Sequence, residues 1–237
     1  MVLKRFFLAL PVLLIFLLSL LLHAPSRLLS GLLPSDLQVE AWGGSLIDGQ
    51  LRGRVGQQSV QLAWVWHPAA LLRLSLDMDI RLATPLQASF RLTRGPLADA
   101  LAVSALRIPA GAAPWLGQGN VTPGWQGHDL SFSRRHAGAW HQGEGVLTSP
   151  GGPLRLDLQG QVQELVLPPA RIVWRNQADS LVGELRQADG NAALATLTLT
   201  GDNRIQWQVR DRLLRLKAGY ASQNDPDLVV LTVAEPL

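Results

Sequence analysis

The chain has 237 residues, of which 47% are hydrophobic and only 16% charged. Average soluble domains carry roughly 25% charged residues, so this chain has ample apolar material for a core and is not intrinsically disordered. With no cysteine at all, a disulfide framework, a thiolate zinc site, an iron–sulfur cluster and a cysteine nucleophile are excluded together. The net charge is +3 and falls to +1 once Lys4 and Arg5 are set aside, and no basic cluster is present elsewhere. Phosphate-backbone binding by counterion release needs such a cluster, so nucleic acid is not an expected partner.

After Lys4 and Arg5, the 17 residues from Phe6 to Leu22 are uncharged and mostly apolar, and the uncharged run continues to Ser26. At about 1.5 Å per residue an apolar helix of this length spans a hydrocarbon layer of roughly 30 Å. The two basic residues before it are expected to remain cytoplasmic, placing the rest of the chain across the membrane. A cleaved signal peptide is the competing reading, with Ala24-Pro25-Ser26 as its small-residue site; the length of the run and the proline favour an uncleaved anchor. Arg27 to Ser35 reads as a short amphipathic connector, with Leu28, Leu29, Leu32 and Leu33 at helix-like spacing and Pro34 closing it.

Beyond the connector the hydrophobic period is two. Val60, Leu62, Trp64 and Trp66 alternate with Gln61, Ala63 and Val65, and Leu72, Leu74, Leu76, Met78, Ile80 and Leu82 alternate with Arg73, Ser75, Asp77, Asp79 and Arg81. The second run predicts the longest strand, because a strand puts all those charges on one face and a helix scatters them. Leu76, in its middle, is expected to face the core, so that Leu76→Asp would bury an unpaired charge and abolish folding. The stretch Ala98 to Ala105 admits a turn or two of helix. Further strands are expected where Leu154, Leu156 and Leu158 alternate with Arg155 and Asp157, where Ile205, Trp207 and Val209 alternate with Gln206 and Gln208, and where Leu214 and Leu216 alternate with Arg215 and Lys217. Turn signals at Asp48-Gly49, Arg94-Gly95-Pro96, Pro150-Gly151-Gly152-Pro153, Asp189-Gly190-Asn191 and Gly201-Asp202-Asn203 separate them. Spacing of about ten residues between strands predicts an all-β domain of antiparallel strands in one large curled or sandwich-like sheet. Gly, Ala and Pro dominate Pro109 to Pro123, which is either a linker between two β lobes or a long loop within one sheet. The expected organisation is a cytoplasmic N-terminus at 1–5, an anchor at 6–26, a connector at 27–36, a first lobe at 37–108, this linker or loop at 109–123 and a second lobe at 124–237.

No catalytic motif emerges. His128, Asp129 and Ser131 are close in sequence, but there is no G-x-S-x-G, S-x-x-K, H-E-x-x-H or phosphate-loop pattern around any candidate. His136, His141 and Glu144 lack metal-ligand spacing, since residues five apart on a strand point to opposite faces. Asp77 and Asp79 share a strand face with Arg73 and Arg81, the pattern of a charge-balanced outer face. No catalytic, metal or cofactor-binding residue is therefore expected. Among eight tryptophans, Trp42, beside Gly43-Gly44 and close to the anchor, is the expected partner contact, because a large ring with an N–H suits interfaces.

Residues 42 to 82 carry a resemblance. Trp42-Gly43-Gly44-Ser45-Leu46-Ile47-Asp48-Gly49, then Val60-Gln61-Leu62-Ala63-Trp64-Val65-Trp66-His67-Pro68, then Leu71-Leu72 and a long alternating strand, resemble the type II secretion system protein N family. There, too, a basic residue or two, one membrane span and a proline-bearing connector precede a G-x-L-x-x-G strand pair and a valine-tryptophan strand running into proline. The match covers roughly residues 1 to 95, and the C-terminal end departs from the family's glycine-bearing strand repeats. The resemblance implies a non-enzymatic, single-pass inner-membrane component of the Gram-negative machine that exports folded proteins from the periplasm, with its bulk in the periplasm and other inner-membrane components or the secretin as partners. It brings no catalytic residues and no cofactor. The alternation itself supports a second reading, an anchored periplasmic lipid-binding or lipid-transport module holding acyl chains in the groove of an open curled sheet.

Overall fold

A computed structural model of the protein describes residues 24–33, 37–56, 58–84, 86–110, 123–135, 138, 140–158, 161–202 and 204–236. The expected anchor falls almost wholly outside them; among the described residues no helix is long and apolar enough to cross a membrane. Ala24 to Ser26, at the end of the uncharged run, belong to the folded domain. Ala24 and Ser26 are buried, Pro25 bridges to Ser45, and the Leu46 N–H donates to the Ala24 carbonyl at 2.9 Å. A 3-10 turn, Ser26–Leu32, follows in the connector.

The described strands are β1 (Leu37–Gly44), β2 (Asp48–Val55), β3 (Gln58–Trp66), β4 (Leu76–Thr84), β5 (Gln87–Arg94), β6 (Ala98–Ile108), β7 (Trp125–Arg135), β8 (Trp140–Ser149), β9 (Gly152–Leu158), β10 (Gln161–Leu167), β11 (Ala170–Gln177), β12 (Ser180–Gln187), β13 (Ala193–Leu199), β14 (Arg204–Arg210) and β15 (Val229–Pro236). The protein is all-β. Thirteen of these strands form one antiparallel sheet in the order β1-β2-β3-β4-β5-β6-β7-β8-β11-β12-β13-β14-β15, and β9 and β10 form a separate hairpin. β6 pairs with β7 from Ala98↔Arg135 to Ile108↔Trp125, so the ladder runs unbroken past the Gly/Ala/Pro-rich segment, of which 111–122 lie outside the described residues.

Register gives the sheet two unlike faces. Leu51↔Leu62, Leu62↔Leu82, Trp64↔Ile80, Ile80↔Phe90, Phe90↔Val103, Val103↔Leu130 and Leu101↔Phe132 are directly opposed, so one apolar surface runs from β2 to β7. It continues through Ile172↔Leu185, Leu185↔Ala195, Ala195↔Val209 and Val209↔Leu231. The opposite face carries Arg52, Asp79, Arg91, Ser131, Gln206 and their neighbours. Period-two sequence thus becomes a two-faced sheet because successive Cβ atoms alternate across the pleat.

The sheet bends toward its apolar face. Gly138, in the β7–β8 turn, lies so close to the β13–β14 turn that a Cβ there would sit 2.5 Å from the Gly201 carbonyl oxygen, to which Arg134 Nη2 donates at 3.4 Å. β7 and β13 are four strand spacings apart, roughly 19 Å on a flat sheet. On the inside of the bend large side chains lie over glycines of other strands: Trp64 over Gly49 and Trp174 over Gly183 on adjacent strands, and Leu181 over Gly143 two strands away, where a Cβ would meet Leu181 Cδ1 at 1.9 Å. Such glycines let a sheet coil where a side chain would hold the strands apart. At the opposite end of the strands the β9–β10 hairpin caps the bend. Leu154, Leu165 and Leu167 pack there with Ala170, Leu194, Ala195, Val209 and Leu213 in a cluster of buried residues, flanked by Trp125, Leu185 and Leu231.

Four local expectations are corrected. The longest alternating run breaks: Leu72 and Leu74 lie in the 3-10 turn Pro68–Arg73 and the residue after it, and β4 begins at Leu76. Pro68 has no N–H and a fixed φ, which suits the start of a turn, and Ser75 closes it by donating its Oγ–H to the Ala70 carbonyl at 3.0 Å. Leu76 is accordingly a strand-opening residue, 48% exposed, so an aspartate there reaches water and the expected loss of folding does not follow. Ala98 to Ala105 form β6, because two ladders outweigh alanine's helical propensity. Leu214 and Leu216 follow no strand; Asp211–Leu214 is a short helix, α1, followed by turns, and Leu213 and Leu216 meet the core at helical spacing.

Candidate functional site

Trp42, Leu46, Gly49 and Trp64 come together at one corner of the sheet. Trp42 on β1 and Trp64 on β3 meet edge to face with ring centroids 6.5 Å apart, and both point to the apolar face. Trp64 is 3% exposed, and its indole N–H donates to the Leu46 carbonyl at 2.9 Å. Leu46 in turn holds Ala24, so the Trp42–Gly49 segment joins the N-terminal segment to the sheet. Ser45 Oγ accepts from the N–H groups of Ile47 and Asp48 at 3.2 Å each, which fixes the β1–β2 turn. Trp42 itself is half-buried against Trp64 on an edge strand.

The apolar face is the largest feature. Leu62, Trp66, Met78, Ile80, Leu82, Phe90, Leu101 and Leu106 remain partly exposed, in contrast to the capped core at β11–β14. Three buried indole N–H groups, of Trp66, Trp140 and Trp174, have no acceptor among the described residues. An unpaired buried donor is costly, so this face is apolar with a small number of donor positions.

The polar face carries a charged cluster that sequence reading assigned to other partners. Asp79 pairs with Arg91 of β5 in a two-point contact, Nε to Oδ1 at 2.8 Å and Nη2 to Oδ2 at 3.2 Å, and Asp77 lies 3.4 Å from the same Nε. The directly opposed cross-strand residue, and not Arg73 or Arg81 on the same stretch of chain, is the partner, because opposed Cβ atoms approach within about 5.5 Å whereas i, i+2 neighbours are farther apart. His67 Nε2 lies 2.8 Å from Asp79 Oδ2. The Arg91 guanidinium first, and His67 second, hold the Asp79 carboxyl below the ordinary aspartate range. No local motif in the sequence signals the pairing of His67 with a residue twelve positions on.

Asp79, Arg91, Ser89, Ala102, Asp129 and Ser131 line an open groove of about 780 Å³. His128 lies in a neighbouring groove with Arg81 and Arg107. β7 bulges between His128 and Ser131, with Asp129 in a left-handed conformation (φ 53°) at the bulge. No hydrogen bond joins these three side chains among the described contacts, so the sequence neighbours do not assemble into a nucleophile, base and orienting group. His136 and the His141 side chain lie outside what is described, and among the described residues no three His, Asp or Glu side chains gather as a metal site.

Compared with protein-family models, curated proteins and solved structures, the chain matches none.

Proposed function

We propose that the chain is a non-enzymatic inner-membrane component of the type II protein secretion machinery, with the apolar N-terminal run crossing the bilayer once and the β domain acting as an interaction module in the periplasm. The observation that carries this reading is the junction at Trp42, Leu46, Gly49 and Trp64. Within the stretch that resembles the protein N family, Leu46 and Ser45 meet the N-terminal segment, and Trp64 and Trp42 back them on the sheet. Among the described residues the two terminal strands, β1 and β15, each have one neighbour in the sheet, and such a strand edge is a ready template for pairing with a partner segment. Trp42 lies on the first of them.

The test uses the full chain in secreting Gram-negative cells, with a photocrosslinking residue at Glu40 on β1 or at Thr232 on β15. Adducts with inner-membrane secretion components or with the secretin are expected. Absence of such adducts from both positions, with the protein present in the membrane fraction, refutes the reading.

The partly exposed apolar face favours a second reading, in which the bend of the sheet holds acyl chains and the Trp66 and Trp174 N–H groups donate to ester or headgroup oxygens. Stoichiometric lipid in mass spectra of gently purified protein supports it, and lipid-free protein refutes it.

A further inference from the structure

The end of the sheet at which Ala24 joins the domain also presents the most exposed large apolar side chains of the described protein. Leu72 and Leu74, between β3 and β4, are 90% and 81% exposed, and Leu97, in the β5–β6 turn, is 80% exposed. Leu71 beside them is 40% exposed, and Leu76 and Leu92 continue the patch onto the apolar face at 48% and 40%. These positions lie along one sheet end with the β1–β2 turn that holds Ala24. From that turn to the β3–β4 turn is two strand spacings, roughly 10 Å, and the β5–β6 turn is about 10 Å farther.

The local backbone argues that this exposure is built in. Leu74 sits in the left-handed region, φ 53° and ψ 35°, where glycine or asparagine is the ordinary occupant. Three leucines this exposed, on two turns at one end of the sheet, are also atypical of a surface facing only water. Arg27, Arg73 and Arg94 stand at the same end; Arg94 also pairs with Asp99 at 3.6 Å. Leucines flanked by arginines suit the boundary between acyl chains and anionic headgroups, with the guanidinium groups reaching phosphates while the apolar side chains enter the leaflet.

We propose that this leucine-bearing end of the sheet rests in the periplasmic leaflet of the bilayer, so that the strands stand away from the membrane. The occupant of the patch is a phospholipid surface, because the uncharged run of residues 6–22 precedes Ala24 closely and Ala24 is fixed at this end. The proposal rests on the anchor reading above.

The absence of cysteine makes single-site labelling clean. The full chain is reconstituted in vesicles of phosphatidylethanolamine and phosphatidylglycerol as single-cysteine variants L72C, L97C, V166C and F16C, each bearing an environment-sensitive fluorophore. Val166, 67% exposed on the β9–β10 hairpin, is the control on the domain, and Phe16 reports the anchor. Labels at 72 and 97 are expected to shift to the blue and to be quenched more strongly by lipid with a nitroxide near the headgroup than by lipid with one deep in the chain. The label at 16 should show the reverse preference, and the label at 166 neither. Labels at 72 and 97 no more quenched than that at 166, with the label at 16 deeply quenched, overturn the proposal and leave the anchor standing. If the label at 16 also escapes quenching, the anchor reading falls and takes the proposal with it.

Discussion

The bend of the sheet can be tested at Gly143 and Leu181. These residues belong to β8 and β12, which have β11 between them, yet a Cβ on Gly143 would lie 1.9 Å from Leu181 Cδ1. On a flat sheet strands two apart are roughly 9.6 Å from each other, and a leucine does not fill that gap against a glycine. Leu181→Ala removes a side chain that is 1% exposed, which should cost about 3 kcal/mol within the usual range of about 2–5 for buried leucines. For a domain of this size that lowers the thermal midpoint by roughly 6–12 °C. Gly143→Ala forces a methyl into the leucine and should cost about 1–3 kcal/mol by overpacking. In the double variant the new methyl occupies space the leucine has vacated, so the loss should fall short of the sum by at least about 1 kcal/mol. Thermal unfolding of the full chain in detergent, followed by circular dichroism for the four members of the cycle, measures this. A coupling within about 0.3 kcal/mol of zero would mean that the two positions do not face each other and that the sheet does not bend as described.

Other outcomes follow from single contacts. Gly49→Ala places a methyl 2.3 Å from the Trp64 ring and 2.6 Å from the Ser45 carbonyl oxygen, so it should destabilise by about 1–3 kcal/mol in urea unfolding, whereas Gly31→Ala, which meets nothing within 4 Å, should not. Trp64→Phe keeps most of the ring and loses the bond to Leu46; a loss of about 1 kcal/mol is expected, and no loss would show that the indole N–H contributes nothing. Asp211 is fully buried and accepts from Arg215 Nε at 2.7 Å and from the Tyr220 hydroxyl at 2.9 Å. Arg215 chiefly holds its carboxyl below the ordinary range. A carboxyl with a depressed folded-state pKa stabilises fully above the ordinary aspartate value near 3.9 and loses that contribution as pH falls below it. The urea midpoint should therefore drop on acidification below about pH 4, and less steeply in Asp211→Asn; equal slopes refute the assignment. Tyr220, the single tyrosine, has its phenol pushed above the usual range, mainly by its bond to Asp211. Spectrophotometric titration should find it ionising above free tyrosine in the native chain and closer to it in Asp211→Asn.

By itself the sequence determined the fold class and the two faces of the sheet. Alternation at 60–66 and 76–82 fixes which side chains share a face, since the period of a strand is a property of the backbone. Turn signals such as Arg94-Gly95-Pro96 and Gly201-Asp202-Asn203 mark connections for an equally local reason. The tertiary structure decided what depends on residues distant in the chain. Whether Leu72 and Leu74 continue the strand, whether 98–105 is helix or strand, and whether Leu214 begins a strand were settled by the neighbours each segment meets, because short alternating runs fit several local conformations. The Asp79–Arg91–His67 cluster and the Leu181–Gly143 contact came from register and curvature. Most of all, the leucines at 72, 74 and 97 read as core in the sequence or as nothing at all. Only the strand order places their turns at the same sheet end as Ala24, and their exposure is set by what the rest of the chain leaves uncovered.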